Sequence, residues 1–315
     1  MVKYSDEKFN DLGLDTKSHN EGYRALNKDG SFNVNKQNVS FFEGINIYHS
    51  LVSMRWLRFF SIIGGIYLFI NLLFATIYMM VGLEHLTGIS GLNTTDKFIE
   101  AFFFSAQTIT TLGYGRVAPV GTITNIVAAS ESMLGLLTFA LATGLMYGRF
   151  SKPTATIKYS NNAVMAPYQN INGFMLRVVN PKKNQLVEVE VSLTLSMQDK
   201  SAQFRKFHQL EVERPKVVFF PSMWTIVHPI NEESPLFGLT EEELLSKDAE
   251  FIVMIKAFDE SFSQTVYSRS SYKAEEIKWG EKFVYLNQQK GSGIVVDVGR
   301  IDETEKKELN PNPHS

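Results

Sequence analysis

Two long apolar runs dominate the hydrophobic pattern of this chain, Phe59 to Leu83 and Ile123 to Met146. About 20 apolar residues suffice for a helix to cross the hydrocarbon core of a bilayer. The charges that flank the two runs are basic: Arg55 and Arg58 precede the first, and Arg149 and Lys152 follow the second. This pattern predicts two transmembrane helices in the cell's inner (plasma) membrane, with both termini in the cytoplasm.

The segment between the apolar runs begins with a short amphipathic stretch. Thr95 and Asp96 are typical of a helix start, and the apolar residues that follow are too few to span a bilayer. We therefore expect a re-entrant helix. Its carboxyl end would point into the membrane, where the negative end of the helix dipole favours a cation.

The hexapeptide TTLGYG, residues 110–115, comes next and is here called the filter segment. Glycines reach backbone conformations that other residues avoid, so successive carbonyls can turn towards one axis and replace the water shell of a potassium ion. Irregular backbone of this kind is tolerated at membrane depth where it lines a water-filled path. The segment therefore predicts a selectivity filter, with potassium held at Thr111, Leu112, Gly113 and Tyr114 and the filter ending at Gly115.

After Pro153 the sequence consists of short runs in which apolar and polar residues alternate, separated by turn residues such as Asn180-Pro181. Period-2 runs with this punctuation indicate a β-sandwich. The charged tail from Asp302 to Ser315 is predicted to be disordered. Ahead of the first span, apolar residues recur at helical spacing and predict an interfacial amphipathic helix. They are Phe41, Ile45, Tyr48 and Val52.

The predicted fold class is an α+β membrane protein. It has two transmembrane helices with a re-entrant pore helix and filter, followed by a cytoplasmic β-sandwich domain. The predicted boundaries are 1–40 for a cytoplasmic N-terminal segment, 41–152 for the interfacial helix and pore domain, 153–301 for the β domain, and 302–315 for the tail.

Composition excludes several classes of function. The net charge of −2 over 315 residues gives no reason to expect nucleic acid as a partner, and the absence of cysteine excludes disulfides and thiolate metal sites. His208 and His228 lack the motifs of known hydrolases and metalloproteases around them. We therefore expect no enzyme activity and no cofactor other than potassium ions in the filter.

Several further stretches resemble the inward-rectifier potassium channels, and in particular the prokaryotic members. They are RALNKDGSFNV (24–34), GRFSKPTA (148–155), TIVHPINEESPLFGL (225–239) and SRSSYKAEEIKWG (268–280). With the filter segment they belong to a match that runs from roughly Arg24 to Ile301, nearly the whole chain. The resemblance implies a homotetramer whose central pore continues through an immunoglobulin-like cytoplasmic assembly. Geometry agrees, because one chain supplies only one wall of a carbonyl ring.

The resemblance also implies a gate. Phe139 lies where strongly rectifying relatives carry an acidic residue facing the cavity, and Tyr147 matches the bulky ring at the cytoplasmic constriction. Ala257 and Phe258 align with the loop that narrows the cytoplasmic pore. Lys256, just before them, replaces an acidic residue of strong rectifiers. We expect the gate at Phe139, Tyr147, Ala257 and Phe258.

Glu131 is an inner-helix carboxyl within the second apolar run. On a straight helix it lies about 160° from Tyr147, so it faces the filter scaffold if Tyr147 faces the axis. This favours a hydrogen-bonded structural carboxyl. A cation site in the cavity is the alternative, if the helix bends at a hinge at Gly135 or Gly144.

Two departures from the family pattern concern the filter and the lipid contacts. Gln107 and Val117 replace the glutamate and arginine that pair behind the filter in many members, which predicts bracing by neutral hydrogen bonds. Arg149 and Lys152 suit anionic headgroups. Eukaryotic relatives carry a denser basic cluster there and respond to phosphoinositides, so the two residues serve here either as lipid contacts or as topology charges.

The sequence thus predicts passive, potassium-selective conduction through a tetrameric pore of the inward-rectifier type, gated at the inner-helix crossing and the cytoplasmic loop. Two other functions remain open: a membrane-anchored ligand-binding or sensor protein with a silent pore, and a poorly selective ligand-gated cation channel. Comparing potassium and sodium permeability separates these functions.

Overall fold

The computed structural model describes residues 23–34, 47–151, 156–182, 184–199, 204–220, 223–290 and 293–311. The chain divides into two compact units. The helical unit lies within residues 37–152, and the β unit is formed by residues up to 36 and from 153 onwards.

The helical unit contains four described helices. They are α1 (Ile47–Ser53), α2 (Trp56–Val81), α3 (Thr94–Ile109) and α4 (Thr122–Phe150). A 3₁₀ turn (Leu83–His85) follows α2, and the short strands β1 (Leu86–Thr87) and β2 (Ala118–Pro119) pair antiparallel on either side of α3 and the filter segment.

Helices α2 and α4 are long and apolar enough to cross a membrane, judged by length and composition. They match the two predicted spans to within about one helical turn at each end. Helix α3 begins where the side chain of Asn93 accepts a 2.8 Å hydrogen bond from the N–H of Asp96, which caps its first turn. Of the predicted interfacial helix, α1 contains Tyr48 and Val52, whereas Phe41 and Ile45 lie outside the described residues.

The β unit contains one short helix, α5 (Glu241–Ser246), and fourteen described strands. The strands are β3 (Lys158–Tyr159), β4 (Ala163–Tyr168), β5 (Ile171–Val179), β6 (Leu186–Asp199), β7 (Phe204–Leu210), β8 (Lys216–Phe219), β9 (Met223–Ile230), β10 (Glu250–Asp259), β11 (Gln264–Lys273), β12 (Ile277–Trp279), β13 (Glu281–Phe283), β14 (Asn287–Lys290), β15 (Gly293–Val296) and β16 (Thr304–Lys306).

Two five-stranded sheets form the predicted sandwich. One has the order β11-β10-β6-β7 with β8 beside β6, and the other the order β12-β4-β5-β3 with β9 beside β5. Alternate apolar residues of each sheet enter a shared core, because side chains alternate between the faces of a strand. The rings of Phe174 on β5 and Phe251 on β10 stack there, with centroids 4.1 Å apart.

Ala257 is placed differently from the sequence prediction. The segment aligned with a pore-narrowing loop begins inside β10, where Ala257 is 1% exposed and belongs to the sandwich core. Phe258, its neighbour on the strand, points to the opposite face and is 36% exposed. The methyl group of Ala257 therefore points into the sandwich core, and of these two side chains only that of Phe258 is accessible.

The C-terminal tail is ordered as far as the structure describes it, so the prediction of disorder was wrong for residues 302–311. Strand β16 pairs antiparallel with β13. Farther on, the N–H of Asn310 donates to Oδ1 of Asn172 at 2.9 Å, and its amide donates to the carbonyl of Ile171 at 2.7 Å. Composition alone did not reveal that β13 offers an edge on which this charged segment can pair.

Residues 23–34, the described part of the N-terminal segment, pack on the β unit. The backbone N–H groups of Ala25 and Leu26 donate to the carboxylate of Glu250 at 2.9 and 3.2 Å, and Glu250 is wholly buried. Arg24 pairs with both oxygens of Glu276 at 3.1 Å. The segment thus supplies the hydrogen-bond donors that a buried carboxylate requires.

Candidate functional site

The filter segment starts from the carboxyl end of α3. The carbonyl of Gln107, in the last turn of that helix, accepts hydrogen bonds from the N–H of Leu112 at 2.8 Å and of Gly113 at 3.3 Å. The N–H of Thr111 donates to Thr108 at 3.0 Å. These bonds fold the chain back on the helix end, so the segment is anchored through backbone atoms of α3.

The backbone of the filter segment alternates in handedness. Thr111, Gly113 and Gly115 have φ angles of +59°, +49° and +80°, whereas the residues between them do not have positive φ. In an ordinary strand successive carbonyls point to opposite sides. A left-handed residue at every second position turns them towards the same side. Thr111 is β-branched, so its positive φ is strained, and strain of this kind concentrates at functional sites.

The filter segment lies at the surface of the single chain. Leu112 is 54% exposed and Tyr114 is 74% exposed. A Cβ added at Gly113 would meet no described atom of the same chain within 4 Å. The filter segment is therefore exposed in the single chain.

Glu131 is wholly buried among three helices. The hydroxyl of Tyr78 on α2 donates to its Oε2 at 2.6 Å, and the hydroxyl of Ser105 on α3 contacts its Oε1. The Ser105 oxygen also lies 3.0 Å from Oδ1 of Asn71, again on α2. The Ser105 hydroxyl has one proton to donate, whereas two oxygens lie within reach of it, Oε1 of Glu131 and Oδ1 of Asn71. A neutral Glu131 that donates to Ser105 would satisfy the whole chain of hydrogen bonds.

Phe139 and Tyr147 lie on exposed parts of α4, at 74% and 75% exposure in the single chain. The helix runs without interruption through both predicted hinge positions, Gly135 and Gly144. A Cβ at Gly135 would stand 2.1 Å from the carbonyl oxygen of Ile109, whereas one at Gly144 would meet no described atom within 4 Å. Gly135 is thus required for close packing of α4 on α3.

Arg149 does not lie free at the membrane surface. Its Nη2 donates to the carbonyl of Met54 at 2.6 Å, and its Nη1 donates to that of Leu51. The guanidinium lies over the rings of Trp56 and Phe59, 4.4 and 4.5 Å from their centroids. Two of its nitrogens therefore cap carbonyls at the end of α1, a contact that is additional to the two roles, lipid contact or topology charge, left open by the sequence. Lys152 lies outside the described residues.

The ammonium of Lys256 is paired with a carboxylate. It lies 3.2 Å from Oε2 of Glu190 on the neighbouring strand β6, and Lys216 lies 3.2 Å from the other oxygen. The three side chains are partly exposed. Glu190 therefore offsets part of the positive charge that Lys256 would bring to its surroundings.

His228 has the contacts of a structural histidine. Its Nδ1 lies 2.5 Å from the carbonyl of Glu211, and its Nε2 lies 2.7 Å from the hydroxyl of Ser234. Burial lowers the pKa of His228, which favours the neutral ring. Within the described residues no group of three or more His, Asp or Glu side chains is arranged to hold a metal ion.

Sequence reasoning missed the partners of Glu131. Asn71 was visible as the central polar residue of the first apolar run, and Tyr78 lies two turns further along the same helix. Both positions are buried on the face of α2 that meets α3 and α4. A lone polar residue in a span was a usable signal, but its partners on other helices depend on tertiary packing.

Comparison with known proteins gives consistent matches along the chain. The family model described as the inward rectifier potassium channel C-terminal domain matches residues 157–314, and the model described as an ion channel matches residues 66–152. Inward rectifier potassium channel Kirbac3.1 of Paramagnetospirillum magnetotacticum is 36% identical over 285 residues, which cover 89% of this chain and 95% of that protein.

More distant relatives match as well. ATP-sensitive inward rectifier potassium channel 12 of Gallus gallus is 27% identical over 89% of this chain and 71% of its own length. The solved structure of Spo0M, a sporulation control protein from Bacillus subtilis, is 10% identical over 40% of this chain and 50% of that one, with a TM-score of 0.24. That structural likeness is too slight to carry an argument.

Proposed function

Because the chain belongs to the inward rectifier potassium channel family, which consists of ion channels and not enzymes, we propose that four copies surround one pore. Residues 111–115 of each copy line the potassium path in this proposal. The carbonyls of Thr111, Leu112, Gly113 and Tyr114, with the Thr111 hydroxyl, replace the water shell of the ion.

The alternating handedness of the filter segment carries this proposal. Positive φ at Thr111, Gly113 and Gly115 aligns successive carbonyls on one side of the chain. A strained threonine at the first of these positions would be an unexplained cost in a simple turn, since most turn residues avoid positive φ. A carbonyl ring around an ion explains both the strain and the exposure of the segment.

The remaining parts of the proposed channel follow from the family and the helices. The rings of Phe139 and Tyr147 narrow the pore at the inner-helix crossing, and Phe258 narrows it in the cytoplasm. Both termini are cytoplasmic and the membrane is the cell's plasma membrane. With Arg149 engaged at the end of α1, Lys152 is the proposed contact for anionic lipid headgroups.

Ion flux through the purified full-length protein in liposomes tests the proposal. We expect potassium to pass and sodium to be strongly excluded. Gly113→Ala should abolish selectivity or conduction, because an L-residue disfavours the φ of +49° found there. Gly64→Ala on α2 is the matched control, since a Cβ at Gly64 meets no described atom within 4 Å.

Three results would contradict the proposal. Equal potassium and sodium flux in the wild type would indicate a poorly selective cation channel. No flux from a folded oligomer of wild-type protein would indicate a silent pore. Normal selectivity in Gly113→Ala would show that residues 111–115 do not form the filter.

A further inference from the structure

The residue that follows the filter segment is tied to the pore helix by an ion pair. Arg116 comes directly after Gly115, and its Nη2 lies 2.8 Å from Oε1 of Glu100 on α3. The Glu100 side chain is 16% exposed and that of Arg116 is 65% exposed. A partly shielded carboxylate thus restrains a guanidinium at the outer end of the segment.

Glu100 also holds the loop that precedes α3. Its Oε2 accepts the N–H of Ser90 at 2.8 Å and of Gly91 at 3.2 Å, and its Oε1 accepts the Ser90 hydroxyl at 3.0 Å. Hydrogen bonding, first that from the N–H of Ser90, lowers the pKa of Glu100 to about 2, so the group is ionised at neutral pH. One carboxylate therefore joins α3, this loop and the residue after the filter segment.

The backbone of Arg116 is restrained independently of its side chain. Gly88, with a φ of +85°, lies so close that a Cβ there would stand 1.8 Å from the Arg116 carbonyl oxygen. Thr87, the residue before Gly88, pairs with Ala118 in the antiparallel β1–β2 ladder, so the two segments stay in contact beside Arg116. Arg116 is thus held at its backbone by the loop after α2 and at its side chain by Glu100.

This arrangement is not the neutral brace that Gln107 and Val117 led us to expect. The carboxylate lies two helical turns before Gln107 on α3, and the guanidinium lies one residue before Val117. An ion pair is therefore present, but it acts at the outer end of the filter segment.

We propose that Glu100 and Arg116 act together as positioning residues that hold the outer end of the filter and thereby set potassium selectivity. The inference rests on the proposed filter at residues 111–115. Without Glu100, the guanidinium of each copy would lose its restraint, and the chain beyond Gly115 would no longer be fixed to α3 through this side chain. Without Arg116, the chain beyond Gly115 would lose its side-chain anchor to α3.

The test compares Glu100→Gln, Arg116→Gln and the double variant by reversal potentials in potassium and sodium gradients. Glutamine at position 100 retains an oxygen for the N–H groups of Ser90 and Gly91, so the loop should stay in place. We expect each single variant to lower the potassium-to-sodium permeability ratio by at least about threefold, with the double variant no worse than the poorer single one. Asp96→Asn, the same charge change in the first turn of α3, should leave the ratio unchanged.

Arg116→Lys separates positioning from charge alone, because lysine keeps the charge but lacks the planar fork of donors. We expect it to restore only part of the ratio lost in Arg116→Gln. Unchanged ratios in both single variants of a selective channel would overturn the inference, as would additive losses in the double variant or an equal loss in Asp96→Asn. A wild type that does not distinguish potassium from sodium would instead overturn the proposed filter, and this inference with it.

Discussion

Gly135 of α4 lies directly against the carbonyl oxygen of Ile109, the last residue of α3, and a Cβ at position 135 would stand 2.1 Å from that oxygen. The inner helix can approach the base of the filter segment this closely because the residue has no side chain. Two predictions about glycine follow from this contact and from the open space around Gly144.

We expect Gly135→Ala to destabilise the folded protein by about 1–3 kcal/mol, the usual cost of overpacking a tight contact. Gly144→Ala should instead be neutral or stabilising by up to about 1 kcal/mol, because alanine is the better helix former. The apparent melting temperatures of the two variants in detergent measure both effects. If Gly144→Ala lowered the melting temperature and Gly135→Ala did not, the result would contradict the prediction that Gly135 is the glycine required for packing.

The buried Glu131 should tolerate loss of its acidity but not of its polarity. Glutamine can accept from Tyr78 and donate to Ser105, so Glu131→Gln should melt close to the wild type. Glu131→Leu leaves the Tyr78 hydroxyl without its acceptor, at about 1–3 kcal/mol for a buried group, whereas the Ser105 hydroxyl keeps Asn71 as a partner. Thr76→Val is the control, since that hydroxyl donates to Leu72 within its own helix. A Glu131→Gln variant as unstable as Glu131→Leu would show that the ionised carboxylate is required.

The ring of Tyr147 should obstruct the closed pore. Four aromatic side chains around a narrow axis favour dewetting, so Tyr147→Ala should raise potassium flux in liposomes. Leu141→Ala removes another exposed side chain of α4, about 120° around the helix from Tyr147, and should leave flux unchanged. Unaltered flux in a well-folded Tyr147→Ala channel would mean that the ring packs between helices.

Block by polyvalent cations such as spermine should be weak in the wild type. By the resemblance, Phe139 takes the position at which strong rectifiers carry an acid facing the cavity, and the ammonium of Lys256 is paired with Glu190. Phe139→Asp should lower the half-blocking spermine concentration by at least about tenfold, because a ring of carboxylates concentrates cations. Glu131→Gln should not change block, since Glu131 is enclosed within the subunit. Potent wild-type block that disappears in Glu131→Gln would assign the cation site to Glu131.

Acidification should destabilise the β unit through His228. Burial lowers its pKa below the ordinary 6.5 in the folded protein. As the pH falls below 6.5, the unfolded chain takes up a proton before the folded chain does, so stability is lost. We expect the apparent melting temperature to fall between about pH 7 and about pH 5, the range in which histidine titrates. His228→Gln should reduce that fall. An identical pH profile in His228→Gln would remove His228 as the cause.

Local patterns predicted the elements well, and tertiary contacts decided what the patterns left open. The two spans, the re-entrant helix and the sandwich follow from apolar periodicity and turn residues. The burial of Ala257 could not be predicted in this way. The alternation of residues along a strand does not say which of the two sets faces the core until the register of the strand is fixed. The pairing of Glu100 with Arg116 was hidden for another reason. The whole filter segment separates the two residues in sequence. They meet only because the chain after α3 folds back alongside that helix.

The burial of Glu250 under the N–H groups of Ala25 and Leu26 sets an order of events during synthesis. These partners are 225 residues apart in one case and 224 in the other. At ordinary rates of translation, Ala25 and Leu26 are therefore made about 10–45 s before Glu250. Both apolar helices leave the ribosome within that interval. Ala25 and Leu26 can thus reach these contacts only after both apolar helices have been made.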